Sequence, residues 1–285
     1  MALIEYSLLS EVLGASVRGI DARDPLEPPV RDAIREALNQ HIVLVLPNQK
    51  LTHPQQVRFT SQFGTPGTRS RDKKLRPEGA DFDEAVMMVS NLRDSMGNPL
   101  GSLPDGEMWF HHDACYYPKP DAATFLYAIE IPSSGGNTLF ANMYEAYERI
   151  PQALKQKLKG REVLQIYNYG MVEKVDPDGD LSQVRHGKQP IFIRHRETGR
   201  IALYVNRLMT AKIEGLSRED SDNILDELFE IIENPAIIYE HEWAPGDLLI
   251  WDNQSSCHAR TDFPRDERRI LRRCTIKGDL MASAN

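Results

Sequence analysis

The chain has 285 residues, with 34 Lys and Arg against 42 Asp and Glu, giving a formal net charge of −8. That balance excludes a polycation and argues against broad nucleic-acid binding, because an acidic surface repels phosphate backbones. Apolar residues make up 41% and charged residues 27%, an ordinary globular mixture able to bury a core. The longest apolar run, around Ile42 to Leu46, falls far short of the roughly 20 residues that cross a bilayer. The first ten residues lack the basic start and long apolar stretch of a secretory signal. Three scattered cysteines, Cys115, Cys257 and Cys274, are too few for a disulfide framework and read as small apolar fillers. A cytoplasmic protein is expected, with neither nucleic acid nor membrane as partner.

In chain order, Val30, Ile34 and Leu38 recur at helical spacing, and Ile42 to Leu46 follows as a short buried strand. A second helix is expected after Thr52, with Gln55 three residues on as in a capping box. From Thr68 to Gly106 the pattern dissolves into an exposed loop rich in basic residues, Arg69, Arg71, Lys73, Lys74 and Arg76, broken by one strand-like run at Val86 to Val89. This segment is expected to be mobile. Seven short strands then follow: Thr124 to Ile131, Asn137 to Ala141, Pro190 to Arg194, Ile201 to Asn206, Ile237 to Trp243, Leu248 to Trp251 and Ile270 to Ile276. Such a series argues for a β-sandwich or barrel. Two helices interrupt it, Met143 to Leu158 and Arg218 to Ile232, the second capped by Ser217 with Asp220 and buried through Ile224, Leu225, Leu228 and Ile231. No repeat, low-complexity tract or dividing linker is present, so one domain over 1–285 is expected.

The sharpest local feature is Trp109-Phe110-His111-His112-Asp113. In an extended segment residues two apart share a side, so His111 and Asp113 converge while His112 faces away. An imidazole and a carboxylate placed so need one further His to complete the face that holds non-haem Fe(II) with three positions open. A lone His-x-Asp is also commonly structural. Downstream, Gly246-Asp247 launches the strand Leu248 to Trp251, and His258 lies just past it in what reads as a polar loop. Beyond comes Arg268 to Arg273, where alternation puts Arg269, Leu271 and Arg273 on one side; taken alone the run could equally be a solvated basic edge strand.

With these residues in place the sequence resembles the taurine dioxygenase and dichlorophenoxyacetate dioxygenase (TauD/TfdA-type) family of Fe(II)- and 2-oxoglutarate-dependent oxygenases. The matches run along nearly the whole chain: Leu13-Gly14-Ala15, Val17 to Asp21, Gln62-Phe63-Gly64, His111-His112-Asp113, Pro132 to Thr138, Leu203 to Arg207, Gly246-Asp247, Ile250 to Asn253, His258 and the Arg269 to Arg273 run. The resemblance implies a mainly β fold with flanking helices around a double-stranded β-helix, a jelly-roll, cupin-like core. It makes His111, Asp113 and His258 the iron ligands, Arg269 with Thr138 the clamp on the distal carboxylate of 2-oxoglutarate, and Arg273 the anchor for a small anionic organic substrate. O2 would be the second co-substrate and the products succinate, CO2 and a hydroxylated substrate. Asp113 favours hydroxylation over halogenation, because the related halogenating enzymes lack the carboxylate. The loop Thr68 to Gly106 is the lid expected over such a site, and a dimer or tetramer is expected of the family.

Some positions depart from the family pattern. Arg69 stands about where taurine dioxygenase has a substrate-facing His, and Phe110 replaces the Trp before the first iron ligand. With Tyr116 and Tyr117, Phe110 could form an aromatic wall for a larger or aryl substrate, or could simply pack the core. His41, His53, His112, His186, His195 and His241 read as structural. Two other readings stay open: a cupin-like protein that binds metal or a small acid without turnover, and a hydrolytic zinc site.

Overall fold

Short apolar strands must be taken out of water, and here a mainly antiparallel sheet with one parallel pair packs a face against a second, antiparallel sheet. The computed structural model describes residues 4–68, 83–103, 106–167 and 175–284. The N-terminal third contributes β1 (Glu5–Leu8), β2 (Ala15–Arg18), α1 (Pro28–His41), β3 (Val43–Leu46), α2 (His53–Ser61) and β4 (Met87–Ser90). The middle third contributes β5 (Met108–His111), β6 (Ala123–Glu130), β7 (Thr138–Asn142), α3 (Met143–Arg149), α4 (Gln152–Leu158), β8 (Glu162–Ile166), β9 (His186–Pro190) and β10 (Phe192–Arg194). The last third adds β11 (Ile201–Leu203), β12 (Thr210–Ile213), α5 (Arg218–Ile232), β13 (Ile238–His241), β14 (Leu248–Asp252), β15 (Ser256–Arg260) and β16 (Ile270–Ile276).

The major sheet runs β1-β2-β3-β14-β6-β16-β4 and the minor sheet β13-β7-β15-β5. Consecutive strands repeatedly change sheet: β4 to β5, β6 to β7, β13 to β14, β14 to β15 and β15 to β16. That exchange is the double-stranded β-helix expected from the sequence, mainly β with helices alongside. Alternation then sorts the major sheet into two faces. Val43, Val45, Leu126, Ala128, Leu249, Trp251 and Leu271 point into the larger core shared with the minor sheet. Leu44, Leu46, Phe125, Tyr127, Leu248, Ile250 and Cys274 point outward, where Ile34 and Ala37 of α1 and Phe59 of α2 cover them. Each Val, Leu, Ile or Phe among these contributes about 1.5–3 kcal/mol by leaving water. Gln56 of α2 locks the outer layer, donating to the carbonyls of Phe125 (3.1 Å) and Arg272 (2.8 Å) and accepting from Arg272 Nε (2.7 Å).

Several expected elements differ in detail. The helix expected over Met143 to Leu158 is two helices, broken at Ile150-Pro151, because a proline forces the residue before it out of the helical region and cannot donate a helical hydrogen bond. The strand expected over Pro190 to Arg194 is the junction of β9 with β10, and that over Ile201 to Asn206 stops at Leu203. His258 is not in a loop: it is the middle residue of β15, buried between β7 and β5. α5 spans the expected residues, with Ser217 Oγ accepting from Asp220 N–H at 3.1 Å. Its stripe is shifted slightly, Phe229 and Ile232 being buried and Ile231 only half-buried. No helix among the described residues is long and apolar enough to cross a membrane.

Candidate active site

β5 and β15 are neighbours in the minor sheet, and their register sets His111 opposite His258. The two rings lie 4.1 Å apart, centroid to centroid, with Trp251 and Phe140 against His258. Past His111 the chain leaves the ladder and turns at Ala114, whose φ of +58° is left-handed, and Asp113 stands beside the imidazoles. One ligand atom from each of His111, Asp113 and His258 lies within 4.8 Å of the others, and the three residues are 3%, 2% and 8% exposed. His112 faces away as expected, buried against Tyr204 with its ring centroid at 4.3 Å.

The electrostatics suit a divalent cation. Burial lowers the pKa of both His111 and His258, so both rings are neutral near pH 7 and keep a lone pair to give. His111 Nδ1 lies 2.9 Å from the Trp109 carbonyl, which can only accept; Nδ1 therefore carries the proton and Nε2 the lone pair. Burial raises the Asp113 carboxyl, but Arg273, the two imidazoles and the Thr124 hydroxyl outweigh it and hold the group well below the usual carboxylate range. Asp113 is thus ionised, its Oδ1 paired with Arg273 Nη1 at 2.7 Å and its Oδ2 accepting from Thr124 Oγ1 at 2.7 Å. His258 Nδ1 is buried and makes no hydrogen bond among the described residues. Two neutral imidazoles and one carboxylate, buried together with an unsatisfied ring nitrogen, fit a metal ion.

Arg269 stands just before β16 and is 3% exposed. Its Nε and Nη2 donate to the Gly136 carbonyl at 3.1 and 2.8 Å, but among the described residues no carboxylate pairs with it. Burial, reinforced by the neighbouring charge of Arg260, pulls its pKa from 12.5 down to about 9. A guanidinium so placed lacks a counterion. Thr138, two residues after Gly136, accepts from Trp243 Nε1 at 3.0 Å, which leaves its own hydroxyl proton to donate.

The remaining expected site residues divide. Phe110 lies on β5 in the larger core, 9% exposed, while Trp109 points outward at 47%. Tyr116 packs against Tyr117 and, edge-on, Tyr167, with ring centroids at 4.6 and 5.2 Å. Arg69 and the basic cluster Arg71, Lys73, Lys74 and Arg76 lie outside the described residues. The described part of the 68–106 segment is tied to the sheets. Asn91 Oδ1 accepts from Arg269 N–H, and Arg260 of β15 donates to the Leu103 and Gly106 carbonyls at 2.7–3.0 Å. Of the other histidines, His195 pairs with Asp252 at 3.0 Å and His241 with Asp247 at 3.1 Å, while His53 and His186 are exposed. All three cysteines are buried thiols.

Sequence reasoning gave no role to Thr124, Gly136 or Asn253. Alternation along β6 could have placed Thr124 on the inward side with Leu126. An amide directly after an apolar strand, as Asn253 is after Trp251-Asp252, was the available signal for the third.

Comparison with known proteins places the chain in a family. The family model described as "Taurine catabolism dioxygenase TauD, TfdA family" matches residues 5–275. Pentalenolactone F synthase from Streptomyces avermitilis is 31% identical, covering 92% of this chain and 90% of that protein. The (S)-phenoxypropionate/alpha-ketoglutarate-dioxygenase of Sphingobium herbicidovorans is 30% identical, covering 95% and 94%. The crystal structure of a taurine dioxygenase from Burkholderia xenovorans superimposes with a TM-score of 0.82 at 27% identity, covering 99% of this chain and 91% of that one. A turnover role is thereby favoured over the binding-only reading. The chain belongs to the taurine catabolism dioxygenase TauD, TfdA family and is an enzyme of the 2-oxoglutarate-dependent dioxygenase kind.

Proposed function

We propose that this chain is an Fe(II)-dependent oxygenase that hydroxylates a small anionic organic substrate while 2-oxoglutarate is decarboxylated to succinate and CO2. The observation that carries the reading is that Arg269 is buried with no carboxylate partner among the described residues, alongside the equally buried His111, Asp113 and His258 cluster. A binding-only metal site or a hydrolytic zinc site has no use for that arginine. His111, Asp113 and His258 would hold Fe(II), and the iron, when bound, supplies the oxidative chemistry with O2 and the keto acid. Arg269 binds the distal carboxylate of 2-oxoglutarate through charge-assisted hydrogen bonds, and Thr138 Oγ1 donates to the same group. Arg273 is the anchor for the substrate's acidic group. Its pairing with Asp113 places a guanidinium directly beside the metal ligands, so an anion held there would present its carbon skeleton to the reacting centre. Phe110 and Arg69 are assigned to the substrate side, and the 68–106 segment to the lid over it.

The same reading takes the chain as one domain over 1–285, located in the cytoplasm, self-associating as a dimer or tetramer, and without nucleic-acid or membrane partners. Three buried thiols accord with a reducing compartment. The test is anaerobic addition of Fe(II) and then 2-oxoglutarate. A weak visible charge-transfer band is expected, abolished in His111→Ala and His258→Ala; no band in the parent chain would sink the proposal.

A further inference from the structure

β15 pairs with β5 as far as His258 opposite His111. Asp113 lies beyond that ladder, since the chain turns away at Ala114, yet its residue is 2% exposed and its backbone N–H and C=O must find partners. The side chain of Asn253, in the turn that joins β14 to β15, supplies both. Its Oδ1 accepts from Asp113 N–H and its Nδ2 donates to Asp113 C=O, each at 2.8 Å, as a neighbouring strand would. The second Nδ2 hydrogen goes to the Asp121 carbonyl at 2.8 Å, and Asn253 N–H donates to Ala122 C=O at 2.9 Å. Asn253 is fully buried. A primary amide suits the task because it presents one acceptor and two donors fixed in one plane.

We infer that Asn253 is a positioning residue for Asp113: it fastens the turn bearing this carboxylate to the hairpin bearing His258, so that the three ligands are preset before an ion arrives. The inference rests on reading the cluster as a metal centre. Without the clamp, the hydrogen bonds that aim Asp113 among the described residues are those of its side chain with Arg273 and Thr124, which do not hold its backbone. Residues that orient a ligand without touching the metal commonly govern affinity in this way.

The test is titration of the whole chain with Mn(II), read by calorimetry, for the parent and two variants. Asn253→Asp keeps the size and the acceptor but removes both Nδ2 donors and sets a charged oxygen against two carbonyls; its Mn(II) Kd is expected to rise about 10- to 100-fold. Asn142→Ala removes another buried amide, the cap that accepts from Tyr144 and Glu145 N–H, and is expected to lower Tm with an unchanged Mn(II) Kd. If Asn253→Asp does not fold, Asn253→Ser is titrated and judged by the same Kd. A parent that binds Mn(II) together with an Asn253 variant that binds it equally well overturns the inference alone. A parent that binds no Mn(II) overturns the proposed function and the inference with it.

Discussion

Replacing Arg269 by Met separates a ligand clamp from a structural arginine, because a clamp predicts lost affinity with little change in stability and a structural role predicts the reverse. Burial lowers the guanidinium pKa from 12.5 to about 9, which corresponds to on the order of 5 kcal/mol of disfavour for its charged form. A carboxylate arriving opposite it relieves that cost, and losing one partner of such a desolvated pair costs about 2–5 kcal/mol of binding. Arg269→Met should therefore weaken 2-oxoglutarate binding by roughly 30- to 4,000-fold. The unliganded protein, in contrast, loses two hydrogen bonds to Gly136 C=O, worth about 1.5–3 kcal/mol each to a charged donor, and sheds the buried charge. These nearly cancel, so Tm should move by no more than about 4 °C, at about 2–4 °C per kcal/mol. The assay is anaerobic titration of the Fe(II) protein with 2-oxoglutarate, with Tm of the metal-free chain alongside. A Kd within about threefold of the parent would refute the clamp, as would a large fall in Tm with affinity retained.

Three further outcomes follow from the same geometry. Gly136 has φ +69° for its predecessor Gly135 and +65° for itself, and a Cβ at Gly136 would stand 2.8 Å from Arg269 Nε; Gly136→Ala should displace the guanidinium and raise the 2-oxoglutarate Kd about tenfold, and an unchanged Kd would count against the placement. Arg273→Ala, tried with a panel of small organic anions and scored by succinate formed above the uncoupled background, should lose coupled turnover for every compound, whereas an unaltered profile would remove Arg273 as anchor. Burial lowers His195, but the hydrogen bond and charge of Asp252 raise it more, so the pKa in the folded state exceeds the ordinary value. The pair's contribution is then complete below about pH 6.5 and fades as pH rises through the folded-state pKa, so the stability gap between the parent and His195→Gln in urea should narrow from pH 6 to pH 9. A gap that stays constant would show that His195 titrates no differently in the fold.

The strongest local patterns translated directly into structure. β6, β14 and β16 are short apolar runs legible as strands, and α5 carries a cap, a stripe and a full fifteen residues of period. β15 was illegible for a physical reason. Ser256-Cys257-His258-Ala259-Arg260 has no β-branched or bulky apolar residue, and it is a strand because β7 and β5 hydrogen-bond it from both sides. Tertiary context overrides propensity in a central strand, and in this case the override decided where a metal ligand stands. The break at Pro151 was legible in principle, since the proline is there to be read, but a continuous apolar period across it masked the stop.

The chemical identities of the site were written in the chain: two imidazoles, one carboxylate and two arginines, Arg269 just before β16 and Arg273 within it. So was the division of the strands into an inner and an outer face, because side-chain direction along a strand follows from backbone geometry alone. What only the tertiary structure decided is how distant segments meet. The β5–β15 register sets His111 opposite His258, the amide of Asn253 stands in for a missing strand beside Asp113, Arg273 closes on Asp113, and Arg269 is left buried without a counterion among the described residues. Periodicity reports each residue's orientation within its own segment. Convergence depends on the pairing of segments far apart in sequence, and that is settled by the packing of the whole core.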